Sequence, residues 1–590
     1  MPARFRREWF FVAVLVVFVV GGWLGPNTWA RPPAAKLLPE NTALMFSVAD
    51  CPELAKRFMN TGLGRMSQDP QLSPLVKHLY GSLSDVVASL RDRIGLSLPE
   101  LLAIPQGEFT FALIPVEDED LAAVMILDAG DQLASARGLW MRVSEALDKS
   151  GATKSQENVA GVAVTIYAGI GPQQRKVIYL EKDASLVLAT SMVAVQAILD
   201  AWNGGSAKTL VAHPTFAAIQ RRCQGEKGEE PQVLWYVDPI SLVRAAGQGN
   251  AGVQLVLALL PTLGLDGLQG IGGAMAFDVG LFDSITQFHV LLENPRGGLF
   301  DVLAFIDGDS APEPWVPNEV INYLTFHWDF KRSYKALEKV YDSIRGEGTL
   351  GSQIKRRFEE PLGFDPIARL LPALEGRVTY FNTIERPVTP NSQALLLALR
   401  LKDAEAMTKL LDEIASKSKG ELARQSVSGK DYYQVTAAAR MRRPDAPSRP
   451  LPCFAVFNDY LILTTHQSLF EKVVATAEKP DQSLAAALDY KLVATRLARR
   501  GGGKKAAMLG FQRPDEGMRF VYEMALSERT RQQLKTQADR NPLFKTLDAA
   551  LEQHPLPPFE VLQRYLAPGG SMLVDDETGL HYTNFTLRRK

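Results

Sequence analysis

Leu38-Pro39-Glu40-Asn41-Thr42-Ala43-Leu44-Met45-Phe46-Ser47-Val48 is a proline-marked turn feeding a short apolar strand, and Val316-Pro317-Asn318-Glu319-Val320-Ile321-Asn322-Tyr323-Leu324-Thr325-Phe326 gives the same signals again. Working outward, the echo continues in register. Leu186-Val187-Leu188-Ala189-Thr190-Ser191 matches Leu461-Ile462-Leu463-Thr464-Thr465-His466, and Gly272-Gly273-Ala274-Met275 matches Gly569-Gly570-Ser571-Met572. The chain therefore reads as an internal duplication. The expected units are a first domain over 37–306 and a second over 315–590, the latter with a helical insertion near 515–553. Segment 31–36 and the turn-rich Asp307-Gly308-Asp309-Ser310-Ala311-Pro312-Glu313-Pro314 read as linkers.

Within each half, short alternating runs flank turn residues, as expected of antiparallel strands with one face buried. Glu108 to Val116 with Ala122 to Leu127, and Arg377 to Ile384 with Ala394 to Leu401, are the first such pairs. Gly270 to Phe277 with Ser284 to Leu292, and Gly570 to Val574 with Leu580 to Leu587, close the halves as hairpins. Helices lie between them. One carries the apolar stripe Leu133, Ala136, Trp140, Val143 and Leu147, and helices are expected to begin near Asp131 and Asp403, where a carboxylate can accept from free backbone amides. Strands and helices mix without regular alternation, so the fold class is α+β with largely antiparallel sheets.

A length of 590 residues is too great for one ordinary core and suits two large domains. With 46% hydrophobic and 22% charged residues the composition is that of a folded globular chain. A net charge of −1 gives no global electrostatic basis for nucleic-acid binding. The exception to this average is the start. Arg4, Arg6 and Arg7 precede the apolar run Phe10-Phe11-Val12-Ala13-Val14-Leu15-Val16-Val17-Phe18-Val19-Val20, the pattern of an exported protein whose basic flank stays cytoplasmic. Residues 1–30 then serve as signal peptide or membrane anchor: Ala30 offers a small residue for cleavage, whereas Trp23 and Trp29 suit interfacial anchoring. The body is expected outside the cytoplasm, on the periplasmic face of the inner membrane or secreted.

The exported start, the Leu-Pro-Glu-Asn-Thr opening and the segment Thr61-Gly62-Leu63-Gly64-Arg65-Met66-Ser67-Gln68-Asp69-Pro70 together resemble a family of exported bacterial proteins known as domain of unknown function 3352. In that family a leucine and then an aspartate-proline pair follow the first strand, and Leu63, Asp69 and Pro70 fit this phrase. The resemblance implies no catalytic residue, and the second half has no clear counterpart to Asp69-Pro70.

Motifs of known chemistry are sparse. The histidines at 78, 213, 289, 327, 466, 554 and 581 form no His-x-x-x-His unit, and Cys51, Cys223 and Cys453 form no Cys-x-x-Cys. No metal, cofactor or catalytic residue is assigned. His289, in an alternating strand, is expected to be a surface or hydrogen-bonded imidazole. The acidic runs Glu117-Asp118-Glu119-Asp120 and Asp575-Asp576-Glu577 read as solvated hairpin tips rather than calcium loops. Gly501-Gly502-Gly503-Lys504-Lys505 lacks the other parts of a phosphate loop, and Arg440-Met441-Arg442-Arg443 lacks stacking aromatics, so neither points to nucleotide or nucleic acid. The apolar stretch around Val253, Leu255, Val256 and Leu259 reads as a buried helix ended by Pro261, with lining of an apolar-ligand cavity, or rest on a membrane, as the alternatives.

The expected function is a non-enzymatic scaffold or interaction module of the cell envelope, with an envelope protein as partner. Binding of a lipid or other apolar ligand is the first alternative, and a hydrolase with a dispersed site the second. Deleting Phe10 to Val20 is expected to abolish export while leaving the body foldable, as read by cell fractionation and circular dichroism of the truncated chain.

Overall fold

The computed structural model of the protein describes residues 31–86, 103–117, 121–171, 174–205, 208–360, 363–418, 420–436, 450–503, 505–538 and 542–589. The apolar run Phe10 to Val20, the acidic residues Asp118 to Asp120, the basic cluster Arg440 to Arg443 and Lys504 lie outside them. Among the described residues no helix is long and apolar enough to cross a membrane.

The first half contributes β1 (Leu44–Val48), β2 (Phe109–Ile114), β3 (Ala122–Asp128), β4 (Thr153–Val159), β5 (Val162–Ile170), β6 (Arg175–Lys182), β7 (Ser185–Ala189), β8 (Val233–Val237), β9 (Leu268–Val279) and β10 (Phe282–Leu292). Its principal helices are α1 (Cys51–Asn60), α2 (Gly62–Gln68), α3 (Ser73–Val86), α4 (Leu133–Lys149), α5 (Met192–Trp202), α6 (Pro214–Cys223), α7 (Pro239–Ala246) and α8 (Ala251–Leu263). The second half follows with β11 (Asn322–His327), β12 (Leu374–Ile384), β13 (Gln393–Leu401), β14 (Leu422–Val427), β15 (Lys430–Val435), β16 (Cys453–Phe457), β17 (Tyr460–Thr464), β18 (Met508–Gln512), β19 (Gly569–Asp576) and β20 (Gly579–Leu587). Its principal helices are α9 (Phe330–Arg345), α10 (Ala404–Lys417), α11 (Gln467–Ala477), α12 (Leu488–Arg500), α13 (Pro514–Leu526), α14 (Glu528–Ala538), α15 (Pro542–Gln553) and α16 (Phe559–Gln563). The fold is α+β.

All pairings between these strands are antiparallel. The first half runs β4-β5-β6-β7-β3-β2-β1-β8-β9-β10. The second runs β14-β15-β16-β17-β13-β12-β11-β18-β19-β20, the same order in corresponding strands. Strands β10 and β20 then pair with each other, with Ile285 opposite Phe585, Gln287 opposite Thr583 and His289 opposite His581. The described strands thus form one sheet of 20, whose order is a palindrome about that seam.

Helices cover both faces. On one, α5 and α6 lie over Met45, Ala112, Val124 and Ala274, and α11 and α12 over Phe381, Leu396, Ile462 and Met572. Glycine makes this close approach work: a Cβ at Gly272 would stand 2.8 Å from the Ile219 side chain of α6, and one at Gly570 would stand 2.4 Å from Val493 of α12. On the other face α4 packs its stripe against Leu127, Tyr179 and Leu186, with Trp140 stacked on Tyr179 at 4.2 Å. Ala136 of that stripe is buried and the rest half-buried, so the stripe is a cover over the sheet more than an interior. Asp403 caps α10 by accepting from Ala406 N at 2.9 Å, as expected. Asp131 does not cap α4. It sits in a 3-10 turn, and the helix starts after Gln132 with no side-chain cap.

The two segments read as linkers are packed straps. Ala34, Leu37 and Leu38 are fully buried in the first core, and Glu313 and Trp315 are buried in the second. Each strap is tied down by an ion pair. Arg31 meets Glu108 at 3.0 Å, and the Glu108 carboxylate also accepts from Ala34 N, the Ser47 hydroxyl and the Thr110 hydroxyl. In the second half Glu313 meets Arg377 at 3.0 Å and accepts from the Thr379 hydroxyl at 2.6 Å, while Arg377 donates to Thr325.

Removing one member of such a buried pair strands the other charge, at a cost of roughly 3–5 kcal/mol, whereas replacing both by apolar side chains of similar size is close to neutral. With side chains only 4–5% exposed, Glu313→Ala is expected to lower unfolding stability by about that amount and Glu313→Leu/Arg377→Met by far less, as read from urea midpoints of residues 31–590.

Candidate functional site

The four residues expected to line an apolar cavity all lie on α8. Asn250 starts that helix by accepting from Gly252 N and Val253 N, and Gly264 ends it at φ 66, a left-handed conformation that favours glycine. Pro261 does not end it. It falls within the last turn, where the helix runs on to Leu263. Nor is the helix buried: none of its residues is, Leu255 and Val256 are 63% and 51% exposed, and Val253 and Leu259 are half-buried. The reason is its position, since it touches little beyond α7, its own C-terminal turn and one side of α9. A cavity of about 370 Å³ at its C-terminal end is lined by Pro261, Gly264, Arg296 and Lys339 but by none of the four.

The cysteines are free; burial pushes the thiols of Cys51, Cys223 and Cys453 up to about 12, so none is a thiolate at neutral pH. Among the described residues no group of three or more His, Cys, Asp and Glu side chains is placed to hold a metal ion.

Polar groups do converge at the seam. Alternation along β10 turns Ile285, Gln287, His289 and Leu291 inward, and along β20 it turns Phe585, Thr583 and His581 to the same face. His289 is thus not at the surface: it is fully buried, with its ring 5.7 Å from that of His581 and the Thr578 and Leu580 backbone beside it. Burial, seconded by the Arg222 guanidinium, lowers its pKa to about 4, an effect that Asp576 and the nearby Thr578 and Leu580 backbone only partly oppose. His289 is neutral at pH 7.

Above Gln287, Thr583 and His581 opens a cleft of about 250 Å³, walled by Arg221 and Arg222 at the end of α6 and by Arg500 at the end of α12. Arg222 and Arg500 each pair with a carboxylate of the opposite half: Arg222 with Asp576 at 2.6 Å, Arg500 with Glu229. Arg500 also lies over the Phe282 ring at 4.7 Å. The acidic run at Asp575-Asp576 is therefore no solvated tip, because Arg296 holds Asp575 as Arg222 holds Asp576. Further bonds join the halves on the flank. Asp69 is buried, accepts from the Tyr565 hydroxyl at 2.7 Å and pairs with Arg564, so the Asp69-Pro70 phrase docks α2 and α3 onto the second half.

Arg222, Gln287, Arg500 and Thr583 were not singled out from sequence. The available signal was polar Gln287 and His289 between the inward apolar positions Ile285 and Leu291 of one strand face.

Because the folded chain holds His289 near 4 and the unfolded chain near the ordinary 6.5, the unfolded state binds the extra proton between those values. Its contribution to stability is complete above pH 6.5 and falls as the pH drops toward 4, by about 3 kcal/mol in all. His289→Phe removes this proton uptake, so urea midpoints measured from pH 7 to 4.5 should fall less steeply in the variant than in the parent.

No family model, curated protein or solved structure matches the chain.

Proposed function

We propose that the protein is a rigid, non-enzymatic scaffold of the cell envelope, exported through its N-terminal segment, whose two halves arose by duplication and act as one platform for an envelope protein partner. The observation that carries this reading is the continuity of the sheet through the β10–β20 ladder, with ion pairs from both halves fastened over it. Such a joint holds the halves at one angle, as a scaffold requires and a hinged enzyme does not. The equal strand orders support the duplication, and membership of the exported family named above belongs to the same proposal.

Carriage of a lipid or other apolar ligand is the second reading, favoured by Leu255 and Val256 standing exposed on an uncharged helix. A photo-crosslinking residue at position 255, in cells making the full chain, separates the two. A discrete protein adduct is the expected outcome; labelled lipid without protein would move the function to the second reading.

A further inference from the structure

The cleft over the seam has features that a structural joint alone does not call for. A joint is best served by apolar packing, and the neighbouring floor supplies it with Ile285, Phe585 and Met572. Within this floor Gln287 and Thr583 are 8% and 5% exposed, polar side chains at the bottom of an open cleft between two halves. The walls are also incompletely used. The Arg500 side chain is only 8% exposed, and its Nε–H, like that of Arg222, is buried with no acceptor among the described residues. A buried guanidinium N–H without a partner costs free energy that a bound acceptor would recover. Arg221 adds a third guanidinium at the mouth, its own Nε donating to Ala217 O at 3.3 Å.

We propose that this cleft binds a small oxyanion-bearing molecule, a carboxylate or a phosphate, held between Arg221 and Arg222 of the first half and Arg500 and Thr583 of the second. Three guanidinium groups supply charge-assisted donors, and the Thr583 hydroxyl, to which His581 Nε2 donates at 3.4 Å, adds one from the floor. Asp576 and Glu229 already neutralise two of the arginines and Glu226 stands at the rim, so local charge is nearly balanced. Selection therefore rests on directed hydrogen bonds, and the balance favours a single negative charge over two. A volume of about 250 Å³ admits a short organic acid or a phosphate group and excludes a polymer. Occupancy would link the halves through the ligand as well as through β10 and β20.

The test is calorimetric titration of residues 31–590 with acetate and with inorganic phosphate at pH 6, where each carries mostly one negative charge, against sodium chloride at matched ionic strength. Hydrogen exchange at β10 and β20 is followed in parallel. Binding of either oxyanion with slowed exchange at the seam is expected, and the tighter of the two identifies the ligand chemistry. Arg221→Gln alters an exposed side chain outside the seam pairs and Thr583→Val keeps the floor's shape; each should weaken binding about tenfold while leaving the circular dichroism unchanged. Equal response to both oxyanions and chloride, or parental affinity in both variants, would overturn the assignment.

Discussion

Strand β10 has β9 on one side, and without β20 on the other it would be the long, unpaired edge of a ten-stranded sheet; β20 stands in the same position in its half. Free edges of that length recruit other chains, so each half needs the other to finish its own backbone hydrogen bonding. Pairing them in register leaves β4 and β14 as the outer edges among the described strands. Those are the strands least able to recruit a partner: β4 is almost wholly exposed and carries Lys154 and Glu157, and β14 carries Arg424, which is held by Asp412 and Asp431. The apolar cores follow the same logic, since Ala276, Val279 and Ile285 of the first half pack into the core of the second.

Because the ladder is made of main chain, it sets position but little specificity, and the side chains over it add the rest. Asp278, Asp575 and Asp576 at the hairpin ends take arginines from α6, the segment after β10 and the C-terminus, so both hairpins are held at their tips by the opposite half. Such pairs fix geometry more than they add stability, because desolvation offsets most of their attraction. Their yield is an angle between halves that does not drift, together with a cleft whose walls come from both.

Local features were legible in the sequence where local physics decides them. Alternation in Gly270 to Phe277 with Ser284 to Leu292, and in Gly570 to Val574 with Leu580 to Leu587, marks both closing hairpins, and Asp403 caps where its chemistry says it should. What escaped depends on residues far apart in the chain. Asp575 and Asp576 look like a solvated tip until Arg296 and Arg222 arrive from the other half, and Glu313 looks like linker until Arg377 stands beside it. The helix from Ala251 to Leu263 misled for the opposite reason: its apolar composition predicts burial, and no element of the described chain comes to cover it. The seam cleft was hidden because β10–β20 pairing cannot be read from either strand alone.

Ser47 faces Thr110 across β1 and β2, and Thr325 faces Thr379 across β11 and β12; two residues before each second threonine stands the charge that receives the strap. In the first half that charge is Glu108, met by Arg31. In the second it is Arg377, met by Glu313. The polarity is reversed at matching places. An acidic strap brought to Glu108, or a basic one to Arg377, would set like charges together at a cost of several kcal/mol. The entry points of the two halves thus carry opposite charge, each matched to the strap that precedes it.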